Sequence, residues 1–94
     1  MGALKVGIAG YGVVGKRRRK CIDRNPDLEV VAVCDQTFSE EGTLPDGVRY
    51  YKAYQSLITE ELDVLFVCLT NDIAPEVTIA GLNRGFHVFC EKPP

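Results

Sequence analysis

The stretch Lys5-Val6-Gly7-Ile8-Ala9-Gly10-Tyr11-Gly12-Val13-Val14-Gly15 decides how the rest of the chain is read. Its first five residues are short and apolar, the pattern of a strand buried on both faces. Gly10, Gly12 and Gly15 follow in a G-x-G-x-x-G arrangement. Beyond them Val13, Val14, Cys21 and Ile22 recur at helical spacing, which predicts a helix from residue 13 to about 24. Glycines leaving a buried strand and opening a helix form a turn suited to a dinucleotide's phosphates. Gly10 permits the tight turn, Gly12 lets a pyrophosphate approach the backbone, and Gly15 lets helix and strand pack closely. The helix N-terminus adds free N–H groups and the positive end of its dipole. An ordinary strand-to-helix turn would use the same glycines, so the flanking sequence carries the distinction.

That flanking sequence continues the pattern. Asn25-Pro26-Asp27 ends the helix, because the residue before proline avoids the α region. Glu29–Cys34 (EVVAVC) is a second β-branched run, and Asp35 follows it twenty residues after Gly15. An acid at about that distance accepts hydrogen bonds from the adenosine ribose and repels a 2′-phosphate. Gln36, Thr37 and Phe38 come next with no arginine among them, so the residues favour NAD over NADP. The alternative for Asp35 is a solvated acid at a strand end.

Residues 36–47 are polar and rich in Gly, Pro and Asp, and predict a loop. Val48–Lys52 predicts a short strand whose charges suit a sheet edge. Gln55–Glu61 predicts a short helix capped near Ser56, and Asp63–Leu69 a third buried strand. Residues 73–84 predict an amphipathic helix with Pro75 in its first turn and Gly85 just past its end. Phe86–Cys90 predicts the last strand. Strands alternating with helices imply a doubly wound parallel α/β sheet, here of about five strands in the order 3-2-1-4-5. With 94 residues and no linker, positions 1–94 are read as one dinucleotide-binding domain.

Composition narrows the partners. Hydrophobic residues make up 46% and charged residues 26%, which argues against a disordered chain or a coiled coil. The net charge of −2 draws the chain toward no nucleic acid, and no apolar run is long enough for a membrane span. No secretory leader is read at the N-terminus. Cys21, Cys34, Cys68 and Cys90 show no CxxC spacing, and the last three sit in apolar runs, so reduced, buried, structural cysteines in a cytoplasmic protein are expected. One histidine and no paired ligand spacing leave no metal site expected. The run Lys16-Arg17-Arg18-Arg19-Lys20 could attract phosphates, but on a helix its charges fan round the axis, most into water and one or two over apolar neighbours. His87, in mid-strand, is read as a packing or hydrogen-bonding residue; Tyr50, Tyr51 and Tyr54 as core or edge packing; Tyr11 as exposed toward the cofactor crevice.

The C-terminal third carries a more specific pattern. Leu69-Thr70-Asn71 follows a buried strand, and Gly85-Phe86-His87-Val88-Phe89-Cys90-Glu91-Lys92-Pro93 closes the chain as G-x-H-V-x-x-E-K-P. With the glycine turn and Asp35, these resemble the nucleotide-binding domain of the Gfo/Idh/MocA oxidoreductases across essentially the whole chain. The resemblance implies a Rossmann domain that is followed, in the family, by a substrate domain. It also implies hydride transfer between NAD(P) and a sugar, cyclitol or nucleotide-sugar hydroxyl. By position it implies that Gly10, Tyr11, Gly12, Val13, Val14, Gly15, Asp35, Thr70, Asn71, Glu91 and Lys92 border the cofactor, with Lys92 beside the nicotinamide and the reacting hydroxyl. Ala74 stands where members often carry a histidine. The sixth strand and substrate domain are absent from these residues, so a piece of a longer protein, inactive alone, is expected. Its open last strand predicts self-association. A stand-alone NAD(H)-sensing module is the alternative function, and another class of Rossmann dehydrogenase a more distant one.

Overall fold

The computed structural model describes residues 2–91. The elements run β1 (Leu4–Ala9), α1 (Val13–Asp23), β2 (Leu28–Cys34), β3 (Gly42–Thr43), β4 (Arg49–Tyr51), α2 (Tyr54–Leu57), β5 (Val64–Val67), α3 (Ala74–Asn83) and β6 (His87–Cys90). They form one six-stranded sheet in the order β3-β4-β2-β1-β5-β6. All neighbouring pairs are parallel except β3 with β4. The five expected strands keep their expected order. The difference is β3, two residues inside what reads as a loop. Leu44-Pro45-Asp46-Gly47 turns the chain back, with Gly47 at φ 90, and Leu44 N–H donates to the Val48 carbonyl at 2.8 Å. So β3, not β4, is the sheet edge. The second helix is also shorter than its sequence suggests, starting after Ala53 without a side-chain cap.

Each sheet face has its own core. Val6, Ile8, Val33 and Val64 point to one side and meet Ile22 of α1. Ala9, Ala32, Leu65 and Val67 point to the other and meet Leu57 near the end of α2 and Val77 of α3. Burial on both faces is why β1, β2 and β5 read as unbroken apolar runs. The alternation breaks once: the register steps from Val6↔Val30 to Gly7↔Ala32, leaving Val31 as a bulge residue.

Helix ends follow their sequence signals. Asn25 Oδ1 accepts the Asp27 N–H at 2.9 Å in the turn after α1. After α3, Gly85 takes φ 86, its N–H donates to Leu82, and Phe86 N–H donates to Gly81. Those paired bonds form a Schellman closure, which needs glycine at the positive φ.

Two expectations about side chains are overturned. Cys90 is exposed, not buried, and His87, read as a packing or hydrogen-bonding residue, is exposed as well, because among the described residues β6 pairs only with β5 and its flank lies open. Cys34 is buried and Cys68 half-buried, and Cys21 on α1 is exposed. Burial pushes the Cys34 and Cys68 thiols up to about 11, so both stay protonated near neutrality. All four cysteines are free. No helix of the described residues is long and apolar enough to cross a membrane.

Candidate functional site

The parallel strands end on one side of the sheet, and the chain leaves β1 and β5 in opposite directions there. Ligands bind at such a switch point in doubly wound sheets. A cleft of about 490 Å³ opens at that place. Its floor is Gly10, Gly12, Cys34 and Cys68; Asp35, Gln36 and Lys52 edge one side; Leu69, Thr70, Asp72 and Ile73 the other; Tyr54 and Glu76 stand at the rim.

Backbone geometry requires glycine at two of the three positions of the turn. Gly10 has φ 96, and a side chain on it would strike the Cys68 carbonyl. A methyl on Gly15 would overlap the Gly10 carbonyl oxygen, so only glycine lets α1 start this close to β1. At Gly12 a Cβ would meet nothing nearer than Asp35 Oδ2 at 4.0 Å, so the backbone faces open space. Gly12 caps α1 without a side-chain bond, and the first intrahelical bond runs from Lys16 N–H to the Gly12 carbonyl. The amides of Val13, Val14 and Gly15 therefore have no acceptor within the helix. A bare turn backed by free amides fits a diphosphate.

Asp35 lies across from Gly12 at the end of β2. Its Oδ1 accepts the Thr37 N–H and the Thr37 hydroxyl, each at 3.0 Å. These bonds aim the carboxylate and leave Oδ2 on the Gly12 side. Thr70 opens onto the cleft as well, and its hydroxyl donates to Asp72 Oδ1. That bond holds the Asp72 carboxyl below the usual carboxylate range.

The remaining expected residues are placed differently. Tyr11 does not line the cleft: its hydroxyl accepts from Arg19 Nη1 at 3.0 Å and its ring packs near Phe38, 6.4 Å between centroids. Val13 is exposed beside the turn and Val14 half-buried, so they offer backbone, not side chains. Asn71 is exposed in the turn before α3 and off the cleft wall. Glu91 N–H donates to the Val67 carbonyl at 2.8 Å, and its carboxylate pairs with Arg18. Lys92 lies outside the described residues.

The cleft also holds residues that sequence reasoning passed over. Tyr54, read as packing, donates its hydroxyl to Glu76 Oε2 across the rim. Among the described residues, Lys52 is the cation of the lining. Glu76 had one local signal, an acid in a helix's first turn after Pro75. The basic run sends two members inward, as expected. Arg18 lies over Phe66 at 5.9 Å and grips Glu91, while Arg19 reaches Tyr11 and Asp46.

Residues 4–94 match the family model GFO_IDH_MocA, described as an oxidoreductase family with an NAD-binding Rossmann fold. The chain is 33% identical over 96 residues to an inositol 2-dehydrogenase of Salmonella typhimurium, covering 96% of this chain and 29% of that protein. It is 35% identical over 96 residues to a D-glucoside 3-dehydrogenase of Escherichia coli, covering 97% of this chain and 27% of that one. The crystal structure of D-galactose-1-dehydrogenase from Rhizobium etli superposes with a TM-score of 0.82 at 27% identity, over 100% of this chain and 30% of that one. The chain thus spans less than a third of the length of these relatives.

Proposed function

Because the chain belongs to the GFO_IDH_MocA oxidoreductase family as its NAD-binding Rossmann domain, we propose that it forms the cofactor half of an enzyme. That enzyme moves a hydride between NAD and a hydroxyl of a sugar, cyclitol or nucleotide sugar. Residues 1–94 form one dinucleotide-binding unit in this reading. The observation that carries it is the pairing of a bare Gly12 turn with an Asp35 carboxylate aimed at it by Thr37. Relatives that are dehydrogenases favour this over a stand-alone sensing module.

A bound nicotinamide dinucleotide supplies the hydride donor or acceptor. The chain's own residues do the holding. Amides at Val13, Val14 and Gly15 hold the diphosphate, and Asp35 accepts from the ribose hydroxyls and repels a 2′-phosphate. Thr70, Asn71 and Glu91 come from the ends of β5 and β6 on the same side of the sheet. Lys92, next after Glu91, is proposed as the group that takes the proton from the substrate hydroxyl. The Arg18–Glu91 pair anchors the chain just before it. A cytoplasmic, self-associating protein completes the reading, with the open flank of β6 as the contact.

The test is calorimetric titration of NAD and NADP into the protein and into Asp35→Ala. The wild type is expected to prefer NAD by about tenfold or more. The variant is expected to lose about tenfold in NAD affinity and most of the preference, as when charge-assisted hydrogen bonds are removed. Tighter NADP binding by the wild type, or no change in the variant, overturns the assignment.

A further inference from the structure

Resting on the reading of the cleft as a dinucleotide site, we propose that Glu76 selects the adenine base by accepting its exocyclic amine, with Tyr54 as the residue that positions it. The cleft has a direction. Gly10 and Gly12 stand at its floor, and Asp35 faces Gly12 from the end of β2. Leu69 packs against Gly10 at the floor, and the wall of the cleft also carries half-buried Ile73 and the half-buried Tyr54 ring. A purine needs such surroundings: apolar walls for its faces and polar partners for its edge. The edge group that distinguishes adenine is an amine, a donor only, whereas hypoxanthine carries a carbonyl, an acceptor only, at that position.

Two carboxylates stand on this part of the cleft, and they are not equivalent. Asp72 is committed to its own loop through the Thr70 hydroxyl. Glu76, exposed in the first turn of α3, accepts the Tyr54 hydroxyl at Oε2, and no bond to Oε1 is made among the described residues. An ionised carboxylate accepts and cannot donate. Oε1 therefore suits an amine and opposes a carbonyl. The Tyr54 bond spans 22 residues of sequence, from α2 to α3, and holds the carboxylate over the rim. A phenol donating to a fixed acid also raises the Tyr54 pKa, so this donor keeps its proton across the working range.

The experiment titrates NAD and nicotinamide hypoxanthine dinucleotide into the wild-type protein, Glu76→Gln and Tyr54→Phe, with circular dichroism confirming each fold. The wild type is expected to bind NAD about tenfold more tightly than the hypoxanthine analogue, the scale of a hydrogen bond to a charged group. Glu76→Gln, whose carboxamide can donate to a carbonyl, is expected to bring the ratio to about one by raising affinity for the analogue. A merely loosened rim would not produce that gain. Tyr54→Phe is expected to narrow the ratio in part. A wild type indifferent to the base, or a Glu76→Gln variant that keeps the wild-type ratio, overturns the proposal. A wild type that binds neither dinucleotide overturns the nucleotide reading beneath it as well.

Discussion

Gly15 links stability and function in a single missing methyl group. The Gly10 carbonyl occupies the place where a side chain would stand, so α1 begins against the end of β1 with its first amides over the cleft. Gly15→Ala must push helix and strand apart, and the obstacle is backbone, which cannot rotate away. Overpacking of this kind costs on the order of 3 kcal/mol. In a domain this small that lowers Tm by about 10 °C or more, which differential scanning calorimetry will show. A variant melting within a degree of the wild type would mean that the turn has slack. Asp35 makes the complementary point, because Thr37 restrains one carboxylate oxygen and leaves the other toward Gly12.

Among the elements, the contact of β4 with the segment after α2 depends on charge. Arg49 donates to Glu60 from Nε at 2.5 Å and from Nη2 at 2.7 Å, and the Tyr51 hydroxyl donates to the same carboxylate. The Arg49 guanidinium, then the Tyr51 hydroxyl, hold the Glu60 carboxyl below its ordinary value of 4.5. A carboxylate whose folded pKa is depressed stabilises the fold fully above the ordinary value, and that contribution fades as pH falls through the lower folded one. Arg49 is in contact with water, so the contribution is no more than about 1 kcal/mol. Glu60→Gln is expected to lower Tm slightly at pH 7 and to flatten the loss of Tm as pH falls below the ordinary carboxyl value of 4.5. Parallel acid limbs for the two proteins would show that the pair contributes nothing. At the other side of the sheet, the end of β6 is fastened by Arg18 to Glu91, and Arg18 also covers Phe66, which stacks on Phe89 at 5.3 Å.

For the molecule as a whole, the sheet order leaves its two edges unequal. The β3 edge is two residues long and runs straight into a tight turn, which blunts it. The β6 edge carries Phe89, 55% exposed, and α3 beside it shows Ile79 and Leu82, each more than half exposed. Apolar side chains next to an unpaired strand edge favour a second copy. Light scattering is expected to give a mass that rises with concentration in the wild type and stays at one chain in Phe89→Asp. A wild type that remains one chain at high concentration refutes self-association through this edge.

Local sequence was enough for the parts of the fold whose burial it dictates. A strand covered on both faces must be apolar throughout, so β1, β2 and β5 announced themselves, and the glycine turn and Asp35 could be placed by counting from them. Asp35 stands across from Gly12 in the cleft as that spacing implies. Packing between distant residues settled the remainder. Val31 became a bulge because β1 and β2 slip by one residue, Tyr11 swung onto Phe38 and Arg19, and the chance closeness of α2 and α3 joined Tyr54 to Glu76. Cys90 and His87 were left in water because nothing among the described residues covers the flank of β6. A hydrophobic pattern reports how buried a residue needs to be, but which neighbour meets it depends on how the helices dock on the sheet.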